Sequence, residues 1–156
     1  MGARAKLIET IPNAHVDTEG SRQLGPGYDL MMQLQSAGEL REYVVIALGT
    51  NVNSAFETLI TSMIEDLNPG HRLIFVTPFD GRYAGSTSTS SQTAAYMREL
   101  PGRYDFITVA DWNTLIRTQT HLLSADTVHM GGEVSRAMFA DCIAEALKTA
   151  SEKPAK

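Results

Sequence analysis

The chain has a single cysteine, Cys142, a single tryptophan, Trp112, and no apolar run longer than about six of its 156 residues. One cysteine excludes an internal disulfide and a thiolate zinc site. Placed beside the apolar face of the last helical stretch, it reads as a small buried hydrophobe rather than a reactive thiolate. It leaves the compartment open, since many exported bacterial domains also lack disulfides. A six-residue run falls far short of the roughly 20 a membrane helix needs, and no basic-then-apolar leader opens the chain. Lysine and arginine number 13 against 18 acidic residues, a net charge of −5. With no basic cluster there is no field to hold a phosphate backbone, and nucleic acid is not an expected partner. His15, His71 and His121 are scattered without ligand spacing, which argues against a metal site. Gly25 and Gly27 lack the preceding strand and third glycine of a dinucleotide fingerprint, so no cofactor is expected.

What is present is apolar patterning, with 43% hydrophobic residues in a length suited to one domain. Tyr43 to Leu48 carries no polar alternation, which predicts a central strand buried on both faces of a parallel sheet. It stops at Gly49 and delivers Thr50 and Asn51 at the strand's carboxyl end, the edge at which open α/β sheets bind ligands. Asn51 has two readings there. It takes the left-handed turn and caps the next helix, or its amide donates to a substrate. Arg72 to Val76 and Phe106 to Ala110 read as further buried strands, and Ala14 to Thr18 as a short one. Helices are expected over Ala3 to Ile11, from Leu30 to Gly38 after a turn at Gly25-Pro26-Gly27, and from a Ser54-x-x-Glu57 capping box to Leu67. Two more follow, over Thr93 to Leu100 and Gly132 to Ser151. Ahead of the first of these, Asp80 to Gln92 has the glycine, serine and threonine content of a mobile loop over the functional edge. The alternation predicts one α/β domain over residues 1–156, its mostly parallel sheet covered by helices on both faces.

Asp126 lies three residues before His129, in the loop ahead of the last helix. A carboxylate folded back onto imidazole Nδ1 fixes the tautomer and leaves Nε2 free as a general base. Asn51, Asp126 and His129 on one sheet edge suit acyl transfer. Trp112, just past the third strand, reads either as core or as the wall of an acyl or sugar pocket.

Val45 to Asn51 together with Asp126-Thr127-Val128-His129 resembles the third and fifth blocks of the SGNH (GDSL-type) hydrolases and acyltransferases. The likeness is nearer still to the SGNH domain at the extracellular end of bacterial membrane acyltransferases of the peptidoglycan O-acetyltransferase type. Pro12-Asn13-Ala14, Val16-Asp17 and Ser21-Arg22-Gln23 resemble that group's second block, and Val109 to Trp112 its strand before the catalytic loop. The resemblance implies a three-layer sandwich with a flavodoxin-like sheet, acting on acetyl esters of cell-wall glycan by a Ser-His-Asp mechanism. It implies that Asp126 orients His129, and that the Asn51 amide and the Ser21 backbone N–H serve the oxyanion; Ser21 also reads simply as a turn residue. An acyl donor, a carbohydrate acceptor and a tether to a membrane acyltransferase domain are the partners it implies.

The departure is the nucleophile. The family carries it in a Gly-Asp-Ser motif after the first strand, and no such motif occurs here. Gly2-Ala3-Arg4 matches the start of the helix that follows that motif. Ser124 shares the base's own loop, and the serines from Ser86 to Ser91 fall in the expected mobile stretch, so neither holds an attack geometry. The expectation is a fold without its first strand and a chain inactive by itself. It is either an enzyme domain whose serine lies elsewhere, or a dead remnant that binds carbohydrate or another protein. A strand left without a neighbour has unpaired backbone groups. Either Ala14 to Thr18 therefore pairs directly with Tyr43 to Leu48, or another chain, a second copy included, fills the slot.

Overall fold

Three aliphatic, β-branched runs pair in parallel. In the computed structural model, which describes residues 2–51, 54–83, 85 and 87–156, these are β1 (Tyr43–Ile46), β2 (Arg72–Val76) and β3 (Ile107–Ala110), in the order β1-β2-β3. Tyr43 sits beside Arg72, and Leu73 beside Ile107. Parallel neighbours need crossovers, and these carry α3 (Phe56–Asp66) and α4 (Thr89–Glu99). On one face Leu73, Phe75 and Ile107 pack with Ile60 and Met63 of α3, Met97 of α4 and Met31 of α2 (Leu24–Ser36). On the other, Ile74 and Val76 pack with Ala3 ahead of α1 (Arg4–Thr10), Ile116 of α5 (Trp112–Arg117), and Phe139 and Ile143 of α6 (Glu133–Ser151). The chain is thus the three-layer, parallel α/β arrangement its alternation predicts.

Several expectations are corrected. β1 is an edge strand, not a central one. Among the described residues it pairs only with β2, and its side chains alternate between half-buried and buried. The doubly buried strand is β2. Ala14 to Thr18 forms no strand and does not pair with β1. Arginines hold it and its approach instead: Arg4 Nε donates to the Val16 carbonyl at 3.3 Å, and the Arg41 guanidinium to the carbonyl of Asn13, just ahead of the segment, at 2.7 Å. Between this segment and the outer edge of β1 runs an open groove of about 1100 Å³.

Helix ends also differ. Gly25-Pro26-Gly27 lies inside the first turn of α2 rather than before it, where a proline's missing N–H costs nothing because first-turn amides have no intrahelical partner. Ser54 does not cap α3, whose N-cap position is Ala55. α4 begins four residues early because the Ser88 hydroxyl accepts the Ser91 amide. The stretch expected to be a mobile loop is thereby shortened to a single 3-10 turn at Gly81–Tyr83 and the approach to Ser88, with Ala84 and Ser86 outside the described residues. The short α5, not foreseen, is capped by Asp111 accepting the Thr114 amide.

Asp111 joins β3 to its surroundings. It accepts from the Arg98 guanidinium at 2.7 and 2.9 Å and from the Thr77 hydroxyl at 2.8 Å. Burial alone would push its carboxyl up, but the bonds from Arg98, Thr114 and Thr77 outweigh it and hold it at about 2. A carboxyl depressed in the fold contributes stability above its unfolded value, and that contribution disappears as pH falls through about 2. Asp111→Asn is therefore expected to cost about 1 kcal/mol at pH 7, discounted because the group is more than a third exposed. The gap to the parent, followed by urea unfolding, should close as the pH is taken from about 4 to about 2. A gap that stays constant would mean the charge does not stabilise the fold.

Candidate active site

After α5 the chain makes a 3-10 turn at Thr120–Leu122 and returns as a tight loop. Leu123 and Met130 form an antiparallel bridge, the Ser124 amide donates to the His129 carbonyl at 2.8 Å, and the Gly131 amide to that of Leu122 at 3.0 Å. At the tip Thr127 adopts a left-handed φ of 55°. This turns the Asp126 carboxylate back over the loop. One oxygen accepts the Val128 and His129 amides at 2.9 and 3.0 Å, and the other meets His129 Nδ1 at 2.6 Å. The His129 side-chain bond, then the two amides, holds the Asp126 carboxyl well below the usual carboxylate range. An ionised carboxylate only accepts, so Nδ1 carries the proton and donates. Nε2 is then the basic nitrogen, on a side chain that is 80% exposed. The pair anticipated from spacing is formed in the fold.

The groove beside β1 reaches this loop. Thr50 and His129 both line it, so the carboxyl end of β1 and the Asp126–His129 loop open onto one cleft. Asn51 follows Thr50 and is exposed, beyond a turn at Gly49 with φ of 125°, where a side chain would also press on Pro78. Val52 and Asn53 lie outside the described residues. Ser21 is exposed on the loop between α1 and α2 with φ of 60°. Its neighbour Arg22 lines the groove and pairs with Asp17 at 2.6 Å. Trp112 is buried edge-to-face on Phe139, ring centres 5.1 Å apart, and also forms part of the groove's inner wall. Among the described residues no hydroxyl is hydrogen-bonded to the His129 imidazole, and no three His, Cys, Asp or Glu side chains converge as a metal site would require.

One supporting network was missed in the sequence. Buried Asn113 donates from its side chain to the Pro78 carbonyl at 2.7 Å and from its backbone to the Thr77 hydroxyl at 2.9 Å. Pro78 in turn rests against Gly49. The signal was a polar residue directly after each of two buried strands, Thr77 and Asp111, a placement that favours the functional edge.

The fold superposes on the C-terminal catalytic domain of peptidoglycan O-acetyltransferase A from Streptococcus pneumoniae, solved with a methylsulfonyl adduct. The TM-score is 0.92 and the identity 32%, over 99% of this chain and 90% of that one. The chain belongs to the SGNH acetyltransferase and acylhydrolase family. A lipase/acylhydrolase from Enterococcus faecalis shares the SGNH fold at TM-score 0.66 and 17% identity, over 87% of this chain and 74% of that one. No family model and no curated protein matches this SGNH domain. None of its described helices is long and apolar enough to cross a membrane.

Within the SGNH loop, the carboxylate that holds the imidazole also holds two amides. Asp126→Ala should speed hydrogen exchange at the Val128 and His129 amides by about 10-fold or more, as the loss of charge-assisted bonds implies. Exchange in β2, read in the same NMR series, should be unchanged. Undiminished protection of the two loop amides would show that something else shapes the turn.

Proposed function

We propose that this domain serves O-acyl transfer or hydrolysis at acetyl esters of cell-wall glycan, outside the membrane, with a serine nucleophile that these 156 residues do not supply. The observation that carries the reading is the 2.6 Å Asp126–His129 contact in a chain 32% identical to a peptidoglycan O-acetyltransferase catalytic domain. In this reading His129 Nε2 takes the proton of the serine hydroxyl and later returns it to the leaving alcohol, while Asp126 keeps the imidazole in the required tautomer. The Asn51 amide and the Ser21 backbone N–H receive the charge that develops on the carbonyl oxygen; one such donor is worth about 3 kcal/mol of barrier. Trp112 borders the acyl or sugar pocket. The partners are an acyl donor and a carbohydrate acceptor, with a tether to a membrane acyltransferase domain; no cofactor takes part.

The groove suggests how a serine would arrive. Its floor is the edge of β1 that pairs with no strand among the described residues, and it opens on Thr50 and His129. An extended segment laid parallel to β1, from a strand joined ahead of Gly2 or from a second copy of the chain, would satisfy that edge and end beside the imidazole. Without it, only binding and oxyanion contributions remain, on the order of 10³ over water. Among the described residues no hydroxyl is bonded to His129, which equally fits a second reading, a module that keeps the fold and binds carbohydrate or protein without turnover.

Hydrolysis of p-nitrophenyl acetate separates these readings. The chain as it stands should turn over no more than about 10³-fold above the uncatalysed rate. A fusion placing an apolar strand and Gly-Asp-Ser ahead of Gly2 should gain at least about 10³-fold, and lose it on replacing that serine or on His129→Ala. Fast hydrolysis by the unfused chain, abolished by His129→Ala, would overturn the nucleophile assignment. A silent fusion that still binds peptidoglycan fragments would favour the binding module.

A further inference from the structure

In the Asp126–His129 loop the imidazole is largely exposed and the carboxylate about half exposed. Its tip is nevertheless seated on a second segment, the 3-10 turn after β2. The Gly81 amide donates to the Thr127 carbonyl at 3.0 Å. A Cβ on Gly81 would lie 2.6 Å from that carbonyl oxygen and 2.7 Å from Thr127 Cβ and Oγ1. The two backbones are therefore in direct contact, and Gly81 is needed for space. Thr127, β-branched and at φ 55°, holds a conformation that such residues adopt only when their surroundings impose it.

The turn bearing Gly81 is itself anchored. Asp80, 6% exposed, accepts the Arg82 amide at 3.0 Å and the guanidinium Nε and Nη2 at 3.0 and 2.8 Å. Phe79 before it is buried in the core. A rigid path thus runs from the end of β2 through Asp80 and Gly81 to Thr127, the residue between Asp126 and His129.

We propose that Gly81 is a positioning residue for the Asp126–His129 pair: its lack of a side chain lets the turn after β2 grip Thr127 and so sets the orientation in which the carboxylate meets the imidazole. Nothing in the reaction needs Gly81 to touch substrate; it acts through Thr127. This role rests on the acid–base pair proposed above, and a test that reads the pair's geometry rather than turnover lets the two fail separately.

The test is Gly81→Ala beside Gly102→Ala, a control position where an added Cβ meets nothing within 4 Å. Carbon-13 NMR follows the Asp126 carboxyl titration and proton NMR the His129 Nδ1 hydrogen, while amide protection in β2 reports the fold. Gly81→Ala should keep β2 protected yet raise the Asp126 midpoint toward the ordinary carboxylate value by about one unit or more, and lose the Nδ1 resonance to exchange. Gly102→Ala should do neither. An unchanged Asp126 midpoint and Nδ1 signal in folded Gly81→Ala overturns the proposal.

If Gly81→Ala does not fold, Asp80→Ala gives the same decision by loosening the turn. Removing a nearby negative charge and freeing Arg82 would by themselves push the Asp126 midpoint down. A rise therefore reports lost geometry and supports the role, and a fall or no change refutes it.

Discussion

The burial of β2 on both faces is the constraint from which the rest of the molecule is built. Leu73 to Val76 are each no more than 3% exposed, and their side chains alternate between two separate cores. A strand so placed cannot slide by one residue without exchanging its two sets of side chains. Its register therefore fixes both neighbours and both helical layers. The burial continues past the strand through Thr77, Phe79 and Asp80, so the carboxyl edge is rigid where the chemistry collects. The polar groups buried there are partnered, Thr77 with Asp111 and Asn113, Asp80 with Arg82, as low local dielectric requires.

At this edge, electrostatics supply orientation more than stability. Exposed ion pairs contribute little to folding, and the Asp126–His129 pair is exposed. What the carboxylate achieves is geometric, since three donors on two of its neighbours fix it in one position. Cys142 shows the contrast. Burial first, and the charge of Asp111 second, push its thiol up to about 11, so it is neither thiolate nor nucleophile at neutral pH. The single cysteine therefore does not stand in for a serine.

Much of this was legible in the residues. β2 and β3 fall within a residue of their expected ends because a short unbroken β-branched run between turn signals has few alternatives. The Asp126–His129 contact was legible because all its atoms lie within four residues. β1 was misjudged for the same reason that β2 was not. An apolar run reports that a segment is buried, but not whether a strand lies on its other side. Ser88 outbid the later helix start because one local hydroxyl bond decides an N-terminus, and the serine-rich composition concealed it.

The sequence by itself determined the alternation of strands and helices and the spacing that lets Asp126 reach His129, because each depends on near neighbours along the chain. Only the tertiary structure decided that β1 is an edge flanked by a groove, that Trp112 lies in the core while bordering the cleft, and that Gly81 is pressed against Thr127. Those facts depend on segments far apart in the chain meeting across a sheet, where the space left by one backbone sets what the other can be.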